Sequence, residues 1–193
     1  SDSTNGITLE FQNISLQIDN VKILDDNCIS QISNDTIVVS LFIGEYISGN
    51  RIKVIQSDYK NITIYQRFEN SVSINDEGPH CDMLEWKHYT SEWIKIKSFD
   101  NFNFQADSLT FEQRKQFDTI DLEEFKKAVR IHCGGKWFDS IKDMKSLEKF
   151  PFHIDTFRFA VNTSKIELKI EMTNSGKNDL TKKTIVFNIA MGC

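Results

Sequence analysis

From Lys165 to Met172 the chain alternates without a break, with Lys165, Glu167, Lys169 and Glu171 on one phase and Ile166, Leu168, Ile170 and Met172 on the other. A period of two puts four charges on one face of a strand and four large apolar side chains on the other, the signature of a sheet with one wet face. The same period appears in Phe157, Phe159 and Val161 before it and in Ile185, Phe187, Ile189 and Met191 after it. Asn162-Thr163-Ser164 and Asn174-Ser175-Gly176 supply turn residues between these runs. Residues 154–191 are therefore expected to form a three-strand antiparallel meander.

Strand patterning also dominates residues 7–105. Ile7, Leu9 and Phe11 alternate on one phase and Ile14, Leu16 and Ile18 on the other, which implies a turn or bulge at Gln12-Asn13. Thr36 to Phe42 is apolar on both phases and predicts a central strand covered on both sides. Arg51 to Ile55, Ile62 to Phe68 and Trp93 to Ser98 continue the pattern, with turns at Gly49-Asn50 and residues 58–61.

Between residues 108 and 150 the period changes to that of a helix. Asp121 can cap a helix whose Glu124 returns the bond, while Ile120 packs on Phe125 as a staple. Leu122, Phe125, Val129 and His132 or Cys133 then form one stripe, and Gly134-Gly135 provides the stop. Thr110 and Gln113 form a capping box for a shorter helix from Thr110 to Phe117. A third helix, Ser140 to Lys149, should end before Pro151. The expected fold class is α+β in one domain, residues 1–193: antiparallel sheets forming a sandwich, with two or three helices inserted before the C-terminal meander.

The chain carries 23 basic and 28 acidic side chains, a net charge of −5. That balance argues against a nucleic-acid partner, which requires clustered cations to displace counterions. No apolar run approaches the roughly 18 residues a membrane helix needs. The start at Ser1-Asp2-Ser3, without methionine, suits a processed export product or an expression remnant and decides nothing.

Four cysteines, Cys28, Cys81, Cys133 and Cys193, are widely spaced and show no CxxC pair. Two long-range disulfides are the simplest reading, and they imply a periplasmic or extracellular location. Three connectivities are open. Cys81–Cys133 with Cys28–Cys193 is preferred, because it brings Trp86 and Trp137 near each other. Four Asn-x-Ser/Thr sequons, at Asn13, Asn34, Asn61 and Asn162, carry little weight in a chain so rich in these residues.

The stretch from Asp76 to Trp93 concentrates unusual chemistry, and three readings compete for it. His80, Asp82, Glu85 and His88 offer nitrogen and oxygen ligands for zinc or manganese, although their spacing matches no helix signature. Cys81 or Cys133 could act as a nucleophile only with the cross-partners His132 or His80, and disulfide formation would end that reading. The third reading is a loop tied down by Cys81, whose Trp86, Tyr89 and Trp93 either plug the core or anchor a partner. His153 reads as a loop histidine, the Lys165–Glu171 charges read as a solvated face, and no Gly-x-Ser-x-Gly elbow is present. The sequence therefore favours a non-enzymatic exported bacterial binding protein without cofactor, an antagonist or immunity-type protein that blocks a partner protein. The alternative is a metal-dependent or cysteine hydrolase centred on residues 80–88.

Overall fold

The computed structural model describes residues 6–42, 44–74, 81–143, 145, 159–174 and 179–189. The chain divides into two compact units. The first comprises Ser1–Phe68, Ser91–Leu109 and Lys165–Cys193, and the second Glu69–Thr90 and Thr110–Ser164.

In the first unit, β1 (Gly6–Phe11) and β2 (Ile14–Asp19) form a hairpin closed by a two-residue turn, with Phe11 opposite Ile14. The turn moves the buried residues from odd to even positions, as the sequence implied. β2 pairs with β5 (Arg51–Ser57), which pairs with β11 (Asn103–Gln105), and β10 (Lys97–Ser98) completes a five-stranded sheet. One phase of each long strand is buried, through Leu9, Leu16, Ile18, Ile52 and Phe104.

The second sheet has the path β3 (Ile29–Ser33), β4 (Thr36–Ser40), β13 (Thr181–Asn188), β12 (Phe159–Thr173), β6 (Asn61–Ile74) and β7 (Cys81–Asp82). β8 (His88–Thr90) and β9 (Ile94–Lys95) also pair with β6, making eight strands. Neither sheet closes, and the fold is α+β and sandwich-like, in the class expected. The sheet is mixed, because β13 runs parallel to β4 while antiparallel to β12.

Two strand expectations change. β4 lies second from the edge and buries only Ile37 and Val39 of its central residues, and Phe42 beyond it is 44% exposed. It is a one-sided strand, whose apolar outer phase reflects β-branched propensity rather than a second cover. The turn expected at Asn162-Thr163-Ser164 does not form, because β12 runs straight through these residues. Their side chains have partners across the strand: Asn162 Nδ2 donates to Ser73 Oγ at 2.8 Å, Thr163 Oγ1 to Asn70 Oδ1 at 3.0 Å and Ser164 Oγ to the Glu69 carbonyl at 3.2 Å. Turn-forming residues form turns when their polar groups lack other partners, and here the neighbouring strand provides them. The phase slips at this point, since Thr163 and Ser164 are both buried before regular alternation resumes. Ile166, Leu168, Ile170 and Met172 are then fully buried, opposite Phe187, Ile185, Lys183 and Thr181. Residues 154–158, 175–178 and Met191 of the expected meander lie outside the described residues.

In the second unit, α1 (Phe111–Lys115) begins with the predicted Thr110–Gln113 capping box. α2 (Leu122–His132) is capped by Asp121, whose carboxylate accepts from the amides of Glu123 and Glu124 at 3.0 Å. Ile120, Phe125, Ala128 and Val129 pack with Val72, Ile74, Met83, Ile141 and Val161 into one apolar cluster. Gly134, at φ +88°, ends the helix, but α3 (Gly135–Ile141) starts at the very next residue rather than at Ser140. The double glycine is a sharp corner between two helices, which the stop signal alone could not distinguish from a longer break. Most of the segment expected to complete that third helix, residues 144 and 146–150, lies outside the described residues.

The Cys81–Cys133 disulfide forms as preferred, tying β7 to the end of α2, and Trp86 and Trp137 both pack on the same apolar cluster. Cys28 is buried and also disulfide-bonded, and the described residues include no free cysteine. The expected Cys28–Cys193 pairing involves Cys193, which lies outside the described residues. With Cys81 and Cys133 joined to each other, neither sulfur is available as a nucleophile.

Candidate functional site

The described part of the 76–93 stretch, residues 81–93, is divided between the two units. His80 lies outside the described residues. Glu85 is exposed, Asp82 is half-buried, and His88 sits on β8 with its Nε2 3.7 Å from Glu69 Oε2. Among the described residues no group of three or more His, Cys, Asp or Glu side chains is placed to hold a metal ion. Trp86 and Tyr89 belong to the second unit and Trp93 to the first.

Each of the three aromatic candidates is half-buried. Trp86 follows a turn in which its amide donates to the Met83 carbonyl at 3.2 Å, and its ring stands 6.0 Å from Phe125, tilted by 45°. A ring packed on the main apolar cluster is a core element with one open edge. Tyr89 lies on β8 opposite Asn70.

Trp93 has a different setting. The chain reaches it through Ser91, which is buried and bonded to Phe68 twice: Ser91 N donates to the Phe68 carbonyl at 2.9 Å, and Phe68 N donates to Ser91 Oγ at 3.0 Å. This clamp delivers Trp93 to the outward face of β6 and β12. There the Arg67 guanidinium lies 4.5 Å from the ring centroid and Lys169 Nζ 4.9 Å. Lys169 Nζ also lies 4.5 Å from the Tyr65 ring. Arg67 is fixed from the other side, donating from Nε at 2.9 Å and from a terminal nitrogen at 2.7 Å to Glu167 Oε2. Lys169 is 3.3 Å from Glu171, which Lys182 approaches at 3.7 Å.

Two rings and five charges thus form one connected, half-open surface on the first unit. Glu167 and Lys169 were expected to face water, and their phase is the outer one, yet their side chains are only 15% and 23% exposed. The aromatic and cationic neighbours cover them. Each cation–π contact contributes about 0.5–2 kcal/mol, more as water is excluded, and the Arg67–Glu167 pair is stronger than a fully solvated one for the same reason. The arrangement brings Trp, Tyr and Arg side chains together at a surface, the residue types that dominate binding hot spots.

Sequence reasoning found Trp93 and missed Tyr65, Arg67 and Lys169 as its partners. The available signal was the odd phase of the 62–68 strand, Tyr65 and Arg67, together with the Lys165–Glu171 charges. The two could be combined only with the register between β6 and β12, and sequence alternation carries no register.

Elsewhere on the first unit a groove of about 760 Å³ is lined by Ile7, Val21, Leu24, Ile29 and Phe42, with Lys22 and Asp26. Lys22 is engaged by Glu45 at 3.2 Å. Among the described residues no helix is long and apolar enough to cross a membrane. No protein-family model, curated protein or solved structure matches this chain.

Proposed function

We propose that the protein is a non-enzymatic, exported binding protein that engages a partner protein through the surface centred on Trp93. The observation that carries this reading is the Trp93 ring itself. It is half-open to solvent, yet held in place by Arg67, Lys169 and the Ser91–Phe68 clamp. An anchor already fixed in its free state loses little side-chain entropy on association, so more of its contact energy appears as affinity. The neighbouring charges, two acidic and three basic, favour a partner with mixed charge over a polyanion. The Cys81–Cys133 disulfide supports an oxidising compartment. An antagonist or immunity-type role, in which the bound partner is blocked, is the concrete form of this proposal.

The test is photo-crosslinking from a benzophenone side chain placed at the exposed Glu92, beside Trp93, in the protein's native secretome. A defined partner, crosslinked from position 92 and lost on adding Trp93→Ala, supports the reading. Crosslinks that are indifferent to Trp93→Ala contradict it.

A further inference from the structure

The turn between β10 and β11 holds two phenylalanines in water. Phe99 is 53% exposed and Phe102 42%. The turn is firmly built: the Asp100 carboxylate accepts from the amides of Phe102 at 2.7 Å and Asn103 at 2.8 Å, and also from Asn103 Nδ2 at 2.7 Å. Ser98 Oγ donates to the Asp100 carbonyl at 2.6 Å, and Phe99 N to the Asn103 carbonyl at 2.8 Å.

The strand register defines what surrounds the rings. Asn103 lies opposite Lys53, and Gln105 lies opposite both Arg51 and Lys97, so Arg51, Lys53 and Lys97 share the outward face of the five-stranded sheet. All three are exposed, and Lys97 Nζ is 4.7 Å from the Phe99 ring. Ile55, two residues beyond Lys53 on the same phase, is 47% exposed. Asp19 follows Ile18 on the strand that pairs with β5, one step past the Ile18–Ile52 pair, and Asp100 turns its carboxylate to its own backbone. Lys97 therefore sits against Phe99, with Lys53 and Arg51 on the same face of the sheet, in a chain whose net charge is −5.

We propose that this tip docks on an anionic phospholipid bilayer, with Phe99 and Phe102 entering the boundary between headgroups and acyl chains and Lys53, Lys97 and Arg51 meeting the phosphates. Local positive charge on an acidic chain selects an anionic surface. A turn carrying two exposed apolar rings suits a medium that is polar at its rim and apolar a few ångströms deeper, and that needs no preformed pocket. This inference uses none of the residues around Trp93 and stands independently of the proposed protein partner.

Flotation of the full chain with vesicles of phosphatidylcholine, alone or mixed with phosphatidylglycerol, tests it. Binding is expected only to the mixed vesicles and should weaken as salt is raised. Phe99→Ser with Phe102→Ser should reduce it by about tenfold or more, and Lys53→Glu or Lys97→Glu by about fivefold each or more. These side chains are exposed, so circular dichroism and the thermal midpoint should stay at wild-type values. Absence of binding to the mixed vesicles would overturn the proposal, as would binding unchanged by the phenylalanine pair. Retention on a poly-glutamate column without vesicle binding would also overturn it, pointing to an acidic protein surface instead.

Discussion

At the scale of single residues, the most informative positions are polar ones that the core accepts because every bond is made. Asn70 is fully buried; its amide donates to the Gln113 and Gln116 carbonyls at 2.7 and 2.9 Å, and its oxygen accepts from Thr163. One side chain thus gives the Gln113 carbonyl a second donor beside the Gln116 amide at 3.3 Å, and gives the Gln116 carbonyl just past α1 a partner. Asn70→Ala should cost about 2–4 kcal/mol in urea denaturation, because it removes three hydrogen bonds at a fully buried position and leaves the buried Thr163 hydroxyl without its acceptor. A loss below about 1 kcal/mol would show that water replaces the amide. Ser164 donates to Glu69, so Ser71 is the donor in the 2.8 Å Ser71–Ser164 bond.

Asp100 provides a second residue-scale test. Hydrogen bonds from Phe102 N, then from the Asn103 side chain and amide, hold its carboxyl below the ordinary aspartate value. The sign follows: a depressed folded-state pKa gives stabilisation that is present above the unfolded value and lost as the pH falls through the folded one. The turn should stay closed through the usual aspartate range and loosen only in stronger acid. Carbon-detected titration of Asp100, with the Phe102 and Asn103 amide shifts following the same curve, checks this. Titration at the ordinary aspartate value would mean that the bonds are not kept in solution.

At the scale of elements, legibility followed locality. The Thr110–Gln113 and Asp121 caps, the β1–β2 turn and the buried phase of β12 all depend on residues a few positions apart, and all could be read. The Asn162–Ser164 segment could not, because its polar groups are satisfied by β6, roughly ninety residues away in sequence. The parallel β13–β4 pair was hidden for the same reason. Of the cysteine connectivities the sequence allowed, the Cys81–Cys133 link forms, closing a separation of 52 residues and joining β7 to the end of α2. Replacing both cysteines by alanine should lower stability by about 2–5 kcal/mol, the range for a loop of this length. Loss of the far-UV signal of α2 alone, with the sheets intact, would instead mark the bridge as a local clamp.

At the scale of the whole molecule, geometry supplied a candidate surface that composition could not. Trp86 and Trp93 look alike in sequence, both tryptophans within one unusual stretch. Trp86 packs on the apolar cluster of the second unit, whereas Trp93 rests between cations on the outward face of the first. That difference sets a ring packed on a core against a ring held at a surface, and it is the basis of the proposed function. The decisive measurement is the pair of Trp93→Ala and Trp86→Ala, each assayed for thermal stability and for affinity to the crosslinked partner. The account predicts that Trp93→Ala weakens binding by about 2 kcal/mol or more with a small change in melting temperature, while Trp86→Ala costs about 3 kcal/mol of stability and leaves the affinity of the folded fraction intact. If Trp93→Ala unfolds the protein, or folds normally and binds as the wild type does, the surface around Trp93 is not the binding site.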